Sequence, residues 1–192
     1  QAEAFRSLKK MESLTIAGNK ITDLQPGAFK GLGQWYLLDL TRNRVRNLRF
    51  GVFDGLRGLR HLNLRHNPIY YISAGAFDGL IRKCNCQMNT PPSILDLRDT
   101  YCTEMDDGAL RNLCFFTQLK TSYIFGFQAK EFCSLRSLTL VNCFSNDYWS
   151  GILEGLHNVI YVRMNNCHLR TNQNQFLKDS HLPKKLSIVD SG

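Results

Sequence analysis

The sequence predicts an α/β solenoid, a curved stack of short parallel strands that one cysteine-rich segment interrupts. Two observations carry this prediction. An apolar pattern recurs every 24 residues in the first part of the chain and returns near its end. Between the two runs the period is lost, and four of the seven cysteines lie there. Because one repeat cannot bury its own apolar face, the stacked array is the expected folding unit.

The first run contains three copies in phase: MESLTIAGNKI (11–21), WYLLDLTRNRV (35–45) and LRHLNLRHNPI (59–69). Each copy has apolar residues at positions 1, 4, 6 and 11 and asparagine at position 9, which is the leucine-rich repeat pattern. Positions 4 and 6 are expected to point from a short strand into a shared core. The asparagines (Asn19, Asn43 and Asn67) are expected to hydrogen-bond the backbone of adjacent coils.

A phenylalanine recurs with the same period on the far side of each predicted coil. Phe29, Phe53 and Phe77 stand in PGAFKGL, GVFDGL and AGAFDGL, and we expect them to fill the wedge between coils. Residues 1–83 are therefore predicted to be regular 24-residue repeats. Phe5 lies one period earlier, so residues 1–10 are expected to be the back half of a repeat that begins upstream, in a longer parent chain.

The pattern returns in LRSLTLVNCFS (135–145) and VIYVRMNNCHL (159–169), and KLSIVDSG (185–192) supplies a last strand. A looser copy, LRNLCFFTQ (110–118), precedes them, so the second run is predicted to cover residues 110–192. The repeat pattern accepts cysteine at position 9. Cys143 and Cys167 are therefore interpreted as buried thiols, and so is Cys133.

The other four cysteines (Cys84, Cys86, Cys102 and Cys114) lie in the predicted interruption, residues 84–114. A zinc site would normally be built from C-x-x-C knuckles, which this C-x-C spacing matches poorly. Four reduced structural thiols are a second interpretation. Two disulfides are favoured, because a segment with little apolar periodicity needs covalent staples. If the 24-residue period continued, a fourth strand would lie in this segment, with Cys86 at position 4 and Pro91 at position 9 in place of asparagine.

The letters KCNCQM and YCTEMDDGALRNLC resemble the cysteine-rich flanking module of extracellular leucine-rich repeat proteins, such as Slit-type proteins and variable lymphocyte receptors. In that module the first cysteine pairs with the third and the second with the fourth. The resemblance therefore implies the disulfides Cys84–Cys102 and Cys86–Cys114. The GAFxGL motif is similar to that of Toll-like receptors, and repeats that resume after a cysteine module look most like a Toll-type ectodomain.

The resemblance implies an extracellular ligand-recognition module of an innate immune receptor. It would bind a protein, glycan or microbial ligand and dimerise with itself or a related chain. A secreted matrix or adhesion protein is one alternative, and an intracellular substrate adaptor is another, because cysteine at position 9 is also typical of cytosolic repeats. A membrane would be met only through parts of the parent chain outside this sequence.

The sequence does not predict an enzyme, since its five histidines are scattered and no catalytic, cofactor or metal motif stands out. Sequence-specific binding of nucleic acid is not expected, because aromatic residues for base stacking are sparse.

Ligand-binding residues are predicted at strand positions that point away from the core. On or beside the strands these are Tyr36, Asp39, Arg42, His61, Asn63, Arg65, His66, Tyr161 and Arg163. A second group of arginines follows the second strand on its rim: Arg42, Arg44, Arg46 and Arg49. The net charge of +8 belongs to residues 1–83, whereas residues 84–192 are neutral. A basic first half favours acidic partners there, although the same cations could simply solvate the array.

Overall fold

The computed structural model describes residues 5–80, 92–110, 113–122, 132–145, 158–169 and 184–189. Its strands are β1 (Ser13–Thr15), β2 (Leu37–Asp39), β3 (Asn47–Leu48), β4 (His61–Asn63), β5 (Tyr71–Ile72), β6 (Ile94–Leu97), β7 (Glu104–Met105), β8 (Gln118–Thr121), β9 (Ser137–Val141), β10 (Phe144–Ser145), β11 (Tyr161–Asn165), β12 (His168–Leu169) and β13 (Lys185–Val189). Two short 3₁₀ helices in these ranges are η1 (Arg6–Leu8) and η2 (Asp78–Leu80).

Eight strands form one parallel sheet in the order β1-β2-β4-β6-β8-β9-β11-β13, here called the large sheet. We call one turn of the chain a coil and number the coils 1 to 8 by these strands. Two smaller parallel sheets, β3-β5-β7 and β10-β12, are formed by residues that follow the large-sheet strands. This architecture is a leucine-rich repeat solenoid and confirms the predicted fold class.

The repeated phenylalanines form the stack that their spacing predicts. Ring centroids are 5.5 Å apart for Phe5 and Phe29, 6.3 Å for Phe29 and Phe53, and 5.6 Å for Phe53 and Phe77. Phe29, Phe53 and Phe77 are fully buried, and Trp35 packs against the first two rings of the stack. Apolar burial on the side of the coils opposite the large sheet therefore holds coils 1 to 3 together.

The asparagine ladder is also confirmed. The Asn67 side chain donates to the carbonyl oxygens of Leu40 and Leu64, both at 2.9 Å, and accepts from the Val45 N–H at 3.1 Å. Asn43 makes the equivalent bonds one coil earlier. Asn19 lies in the first coil, is exposed, and bonds only to carbonyls of its own coil. Buried asparagines thus satisfy backbone groups of two coils at once.

The predicted fourth strand is wrong. β4 pairs directly with β6, with Leu62 opposite Leu95, so the step between these coils is longer than the regular period. The sheet takes the segment ILDL because it buries Leu95 and Leu97, whereas the proline pair Pro91-Pro92 lacks the N–H groups that a sheet needs. Thr100 takes position 9, and its hydroxyl donates to the Leu97 carbonyl at 2.9 Å.

The strand of coil 5 also lies later than the copy LRNLCFFTQ predicts. β8 begins at Gln118, and Leu119 is the residue opposite Leu138, which makes this step shorter than the regular period. Leu113 and Phe116 instead form a buried turn, in which the Phe116 N–H donates to the Leu113 carbonyl at 3.0 Å. The large sheet therefore passes through β6, inside the segment predicted as the interruption, with coil steps of unequal length.

The cysteine predictions need correction. Cys102 is a free, buried thiol, so the predicted Cys84–Cys102 disulfide is wrong. Its side chain is buried and lines a small cavity together with Ile72, Met105 and Leu110. Cys114 is disulfide-bonded. Cys84 and Cys86 lie outside the described residues, so the pairing of Cys86 with Cys114 stays a prediction.

The interpretation of Cys133, Cys143 and Cys167 as thiols is also wrong. Cys143 and Cys167 form a disulfide, with their Cα atoms 4.6 Å apart, and Cys133 is disulfide-bonded as well. Position 9 of adjacent coils stacks at the spacing of neighbouring strands, about 4.8 Å, which lies within the reach of a disulfide.

Candidate functional site

The concave face of the solenoid is the outward side of the large sheet. Alternation along each strand places positions 3, 5 and 7 on this side, and position 2 lies at its margin. In-register pairing aligns equal positions of all eight coils into columns. The position 5 column reads Thr15, Asp39, Asn63, Asp96, Lys120, Thr139, Arg163 and Ser187.

The predicted concave residues occupy this face in two groups. Coils 2 and 3 bring together Tyr36, Asp39, His61, Asn63 and Arg65. Tyr161 and Arg163 lie on coil 7, four coils further along the sheet, so they form a separate group. All of these side chains are exposed or half-buried. Whether they bind a ligand stays a prediction.

Tyr36 and His61 meet edge to face, with ring centroids 6.4 Å apart and an interplanar angle of 84°. Burial lowers the pKa of His61, and the positive charge of neighbouring Arg60 lowers it further. His61 is therefore neutral at neutral pH, and this aromatic pair offers apolar edges and one imidazole hydrogen-bonding group rather than a charge.

The two carboxylates of the position 5 column, Asp39 and Asp96, each accept hydrogen bonds from a residue two positions further along the chain. Asp39 accepts hydrogen bonds from the Thr41 N–H at 2.9 Å and its hydroxyl at 2.5 Å. The Arg98 guanidinium reaches Asp96 with its Nη2 at 2.6 Å and its Nε at 2.9 Å. The Arg98 cation offsets the charge of Asp96, whereas the neutral donors of Thr41 orient the Asp39 carboxylate and leave its charge in place.

Position 8 lies on the rim of the concave face, where the chain leaves each strand. The backbone there is left-handed at five non-glycine residues: Arg42, His66, Asp99, Asn142 and Asn166, with φ between 52° and 56°. Asp99 connects three of the coils. It accepts from Arg65 Nε at 2.9 Å, lies 3.4 Å from His66 Nδ1, and is 3.5 Å from the Asn142 amide. The predicted residue His66 is thus part of a polar rim network.

Of the four predicted rim arginines, Arg42 lies at position 8 on the rim of the concave face, and the other three do not join the concave groups. Arg44, Arg46 and Arg49 are exposed on the side of coil 2, next to β3, and the carbonyl of Arg46, just before β3, accepts from the Tyr70 N–H. Arg49 lies 3.7 Å from the Asp23 carboxylate. The structure therefore places Arg44, Arg46 and Arg49 on a different surface from the concave groups.

A cluster of cations on coils 5 to 8 escaped the sequence analysis, except for Arg163. We call it the cationic patch: Lys120, Arg136, Arg163, Lys184 and Lys185. Net charge concealed it, because residues 84–192 are neutral overall. In that half the described acids all lie on coil 4: Asp96, Asp99, Glu104, Asp106 and Asp107. A tally of outward positions coil by coil would have found the patch.

One polar atom beside the patch has no partner. The Asn165 side-chain oxygen on coil 7 is buried and accepts no hydrogen bond. Asn165 occupies position 7, where coil 6 has Val141 and coil 8 has Val189. An apolar side chain is therefore compatible with this column on both sides.

Over the described parts of the chain, no helix is long and apolar enough to cross a membrane. Within the same ranges, no three histidine, cysteine or acidic side chains group closely enough to hold a metal ion.

The sequence matches one family model, that of the leucine rich repeat, over residues 34–82. This match covers coils 2 and 3, which are the most regular part of the chain. No curated protein matches the sequence significantly.

Several solved structures share the fold. Human 5T4, also called Wnt-activated inhibitory factor 1 or trophoblast glycoprotein, is 20% identical with a TM-score of 0.67, over 95% of this chain and 70% of 5T4. An internalin, InlF from Listeria monocytogenes, is 18% identical with a TM-score of 0.62, over 95% of this chain and 49% of the internalin. TLR13, solved in complex with ssRNA13, is 18% identical with a TM-score of 0.60, over 99% of this chain and 34% of TLR13. The chain thus spans about half of the internalin and a third of TLR13.

Proposed function

We propose that this leucine-rich repeat protein is an extracellular ligand-recognition module, part of an innate immune receptor ectodomain of the Toll-like type. It presents the concave face to a protein, glycan or microbial ligand. Catalysis has no part in the proposal, since the role rests on displaying a fixed surface.

The observation that carries the proposal is the continuous large sheet with its outward columns. Eight strands in register hold polar, charged and aromatic side chains at fixed spacing on one face. Tyrosine and arginine, which often dominate protein recognition, stand there as Tyr36, Arg60, Tyr161 and Arg163. A rigid scaffold of this kind binds without first having to order its side chains.

The disulfides support the extracellular part of the proposal. Cys114, Cys133, Cys143 and Cys167 are all disulfide-bonded, and such bonds persist in oxidising compartments. An intracellular adaptor would keep these cysteines reduced. The Toll-like assignment is supported by the sequence resemblance and by the shared fold of TLR13, which was solved with RNA bound.

The concave face can be tested with two matched glycosylation variants. The sequence holds Asn63-Leu64-Arg65 on the concave face and Asn47-Leu48-Arg49 on the side of coil 2. Arg65→Thr and Arg49→Thr each remove one arginine and each create the same glycosylation signal, Asn-Leu-Thr. The first places a bulky glycan on concave Asn63, and the second places it on lateral Asn47.

Both variants and the wild-type protein would be secreted from animal cells, labelled, and applied to intact animal cells and to bacteria. We expect saturable binding of the wild type to at least one of these surfaces. Arg65→Thr should lose about tenfold or more in affinity, a change of about 1.4 kcal/mol, while Arg49→Thr keeps it. Equal loss in both variants would contradict recognition by the concave face. No binding to any surface would contradict the proposed function.

A thiol count tests the compartment. Unfolded in denaturant without reductant, the secreted protein should expose Cys102 to maleimide and leave Cys114, Cys133, Cys143 and Cys167 unlabelled. Labelling of all seven cysteines would contradict an extracellular role.

A further inference from the structure

We propose that the cationic patch on coils 5 to 8 binds a sulfated glycan. The inference rests on the proposed function and deepens it, because it names a ligand class for one half of the concave face. Four observations support it: the spacing of the cations, the absence of described carboxylates beside them, the neutral polar side chains between them, and the scarcity of aromatic surface.

The cations are spaced along the solenoid axis. Lys120 lies on coil 5, Arg136 on coil 6, Arg163 on coil 7, and Lys184 and Lys185 on coil 8. Adjacent coils are 4.6 Å apart where Cys143 and Cys167 join them. The four coils therefore span about 14 Å, with at least one cation at each step. A linear polyanion that crosses the strands would meet a positive charge on every coil.

No acidic residue stands at positions 2, 3, 5 or 7 of coils 5 to 8 where the structure describes them. Lys120, Arg163 and Lys184 make no ion pair with any described residue. On coils 2 to 4, by contrast, Asp39 and Asp96 stand in the outward column and are engaged by their own neighbours. Among the described residues of coils 5 to 8, the cations therefore stand without a carboxylate beside them, an arrangement that favours anions.

Neutral hydrogen-bonding side chains fill the positions between the cations. Within the same columns these are Gln118, Ser137, Thr139 and Ser187. Their hydroxyl and amide groups can both donate and accept, as sugar hydroxyls require. Arg136 is oriented by hydrogen bonds from its Nη1 to the carbonyls of Leu135 and Asn158, at 3.3 and 3.4 Å. The patch thus combines anion recognition with recognition of a polyol.

Aromatic and apolar surface is too sparse for the other polyanions. Tyr161 is the one exposed aromatic residue among the described outward positions of coils 5 to 8, and Lys185 Nζ lies 5.4 Å from its ring centroid. Single-stranded nucleic acid would need successive aromatic platforms for its bases. An acidic protein would need a larger apolar centre to its interface than Tyr161 and Val189 provide.

The test measures binding of a size-fractionated heparin oligosaccharide by titration calorimetry over a series of salt concentrations. The concave triple variant Lys120→Ser, Arg163→Ser, Lys184→Ser removes three cations from the patch. Its control is the lateral triple variant Lys9→Ser, Lys20→Ser, Lys30→Ser, which removes three exposed cations that belong to neither predicted ligand-binding group. Both variants change the net charge of the protein by the same amount.

We expect the concave triple variant to lose at least about thirtyfold in affinity and the slope of log Kd against log salt to fall by about 2 to 3. The lateral variant should lose less than about threefold, since only general attraction changes. Equal losses would show attraction by net charge alone and would overturn the proposal. If the concave triple variant fails to fold, Arg163→Ser alone is measured, with Lys20→Ser as its control.

Competing polymers separate the ligand classes. Fully desulfated heparin should bind more weakly than heparin, and so should polyuridylate RNA and polyglutamate. Tighter binding of the RNA or of the polypeptide would overturn the proposal in favour of that class. If heparin fails while intact cells still bind the wild type and not Arg65→Thr, only the glycan inference fails. If neither heparin nor intact cells bind the wild type, the proposed function is contradicted as well.

Discussion

At the residue scale, the stability of the large sheet should rise when one buried polar atom is removed from it. The Asn165 side-chain oxygen has no hydrogen-bond partner, and leaving such an atom unpaired costs about 1–3 kcal/mol. Asn165→Val removes it and adopts the residue type that coils 6 and 8 already have at this position. We expect the free energy of unfolding in urea to rise by about 1 kcal/mol. The reverse change on coil 6, Val141→Asn, should lower it, and a loss of stability in Asn165→Val would contradict the account.

Cys102 gives the protein a defined response to alkaline pH. Burial raises the pKa of its thiol from 9.0 to about 11, since the charged thiolate is poorly solvated inside coil 4. The unfolded chain therefore loses this proton near pH 9 and the folded chain only near pH 11. The stability that the protonated thiol contributes is complete below pH 9 and is lost as the pH rises through this window.

The measurement compares the unfolding free energy of wild type and Cys102→Ala between pH 8 and 11. The difference between them should shift against the wild type by at most about 1.4 kcal/mol per pH unit above pH 9. Tyrosine and lysine titrate in both proteins and cancel in the difference. A constant difference across this range would show that the thiol is not buried as described.

At the scale of the repeat element, the glycine that precedes the repeated leucine, Gly55 before Leu56, lets coil 2 approach coil 1 closely. Gly55 has φ +100°, and a Cβ atom there would lie 2.3 Å from the Phe29 carbonyl oxygen. Gly18 also has a positive φ, +71°, but a Cβ there would meet nothing within 4 Å. Gly55→Ala should therefore cost at least about 3 kcal/mol of stability, and Gly18→Ala about 1 kcal/mol, in thermal or urea unfolding. Equal costs would mean that backbone conformation alone, and not contact between coils, explains this glycine.

The regularity of each repeat decides whether the strand position of its coil could be predicted from the sequence. Coils 1 to 3 and 6 to 8 keep the regular period, so their strands and inward residues follow from the pattern. Coils 4 and 5 do not, because the step from β4 into β6 is longer than the period and the step from β8 to β9 is shorter. Pairing in a sheet depends on which segment can bury two leucines beside its neighbour, and sequence spacing does not report that choice.

At the scale of the whole molecule, the Cys143–Cys167 disulfide ties coil 6 to coil 7 across 24 residues. A loop of this size contributes about 3 kcal/mol by limiting the unfolded chain. Because a solenoid is stabilised between neighbouring coils, we expect the loss in Cys143→Ala, Cys167→Ala to be local. Hydrogen exchange should accelerate in coils 6 to 8 while coils 1 to 3 keep their protection. Uniform acceleration over all coils would contradict this view of the array.

The site could be predicted only in part, for a reason that also belongs to the whole molecule. Tyr36, Asp39 and Asn63 follow from alternation along a strand, and the structure brings them onto one face. Lys120 was missed because its strand lies later in the chain than the repeat pattern predicts, whereas Lys184 lies on a regular coil and its position follows from the pattern. The charge of each half of the chain was misleading as well, since the acids of the second half that the structure describes all lie on coil 4, and none stands among the described residues of coils 5 to 8.

The left-handed backbone at position 8 restricts which amino acids the rim can use. Glycine, asparagine and aspartate adopt this conformation most readily, and valine, isoleucine and threonine do so at the greatest cost. Positions 3, 5 and 7 have the opposite preference, since β-branched side chains suit a strand. A mutagenesis library designed to change the ligand of this scaffold should therefore use two different sets of amino acids. Strand columns can be randomised with branched and aromatic residues, whereas Arg42, His66, Asp99, Asn142 and Asn166 should vary only among small or unbranched polar types.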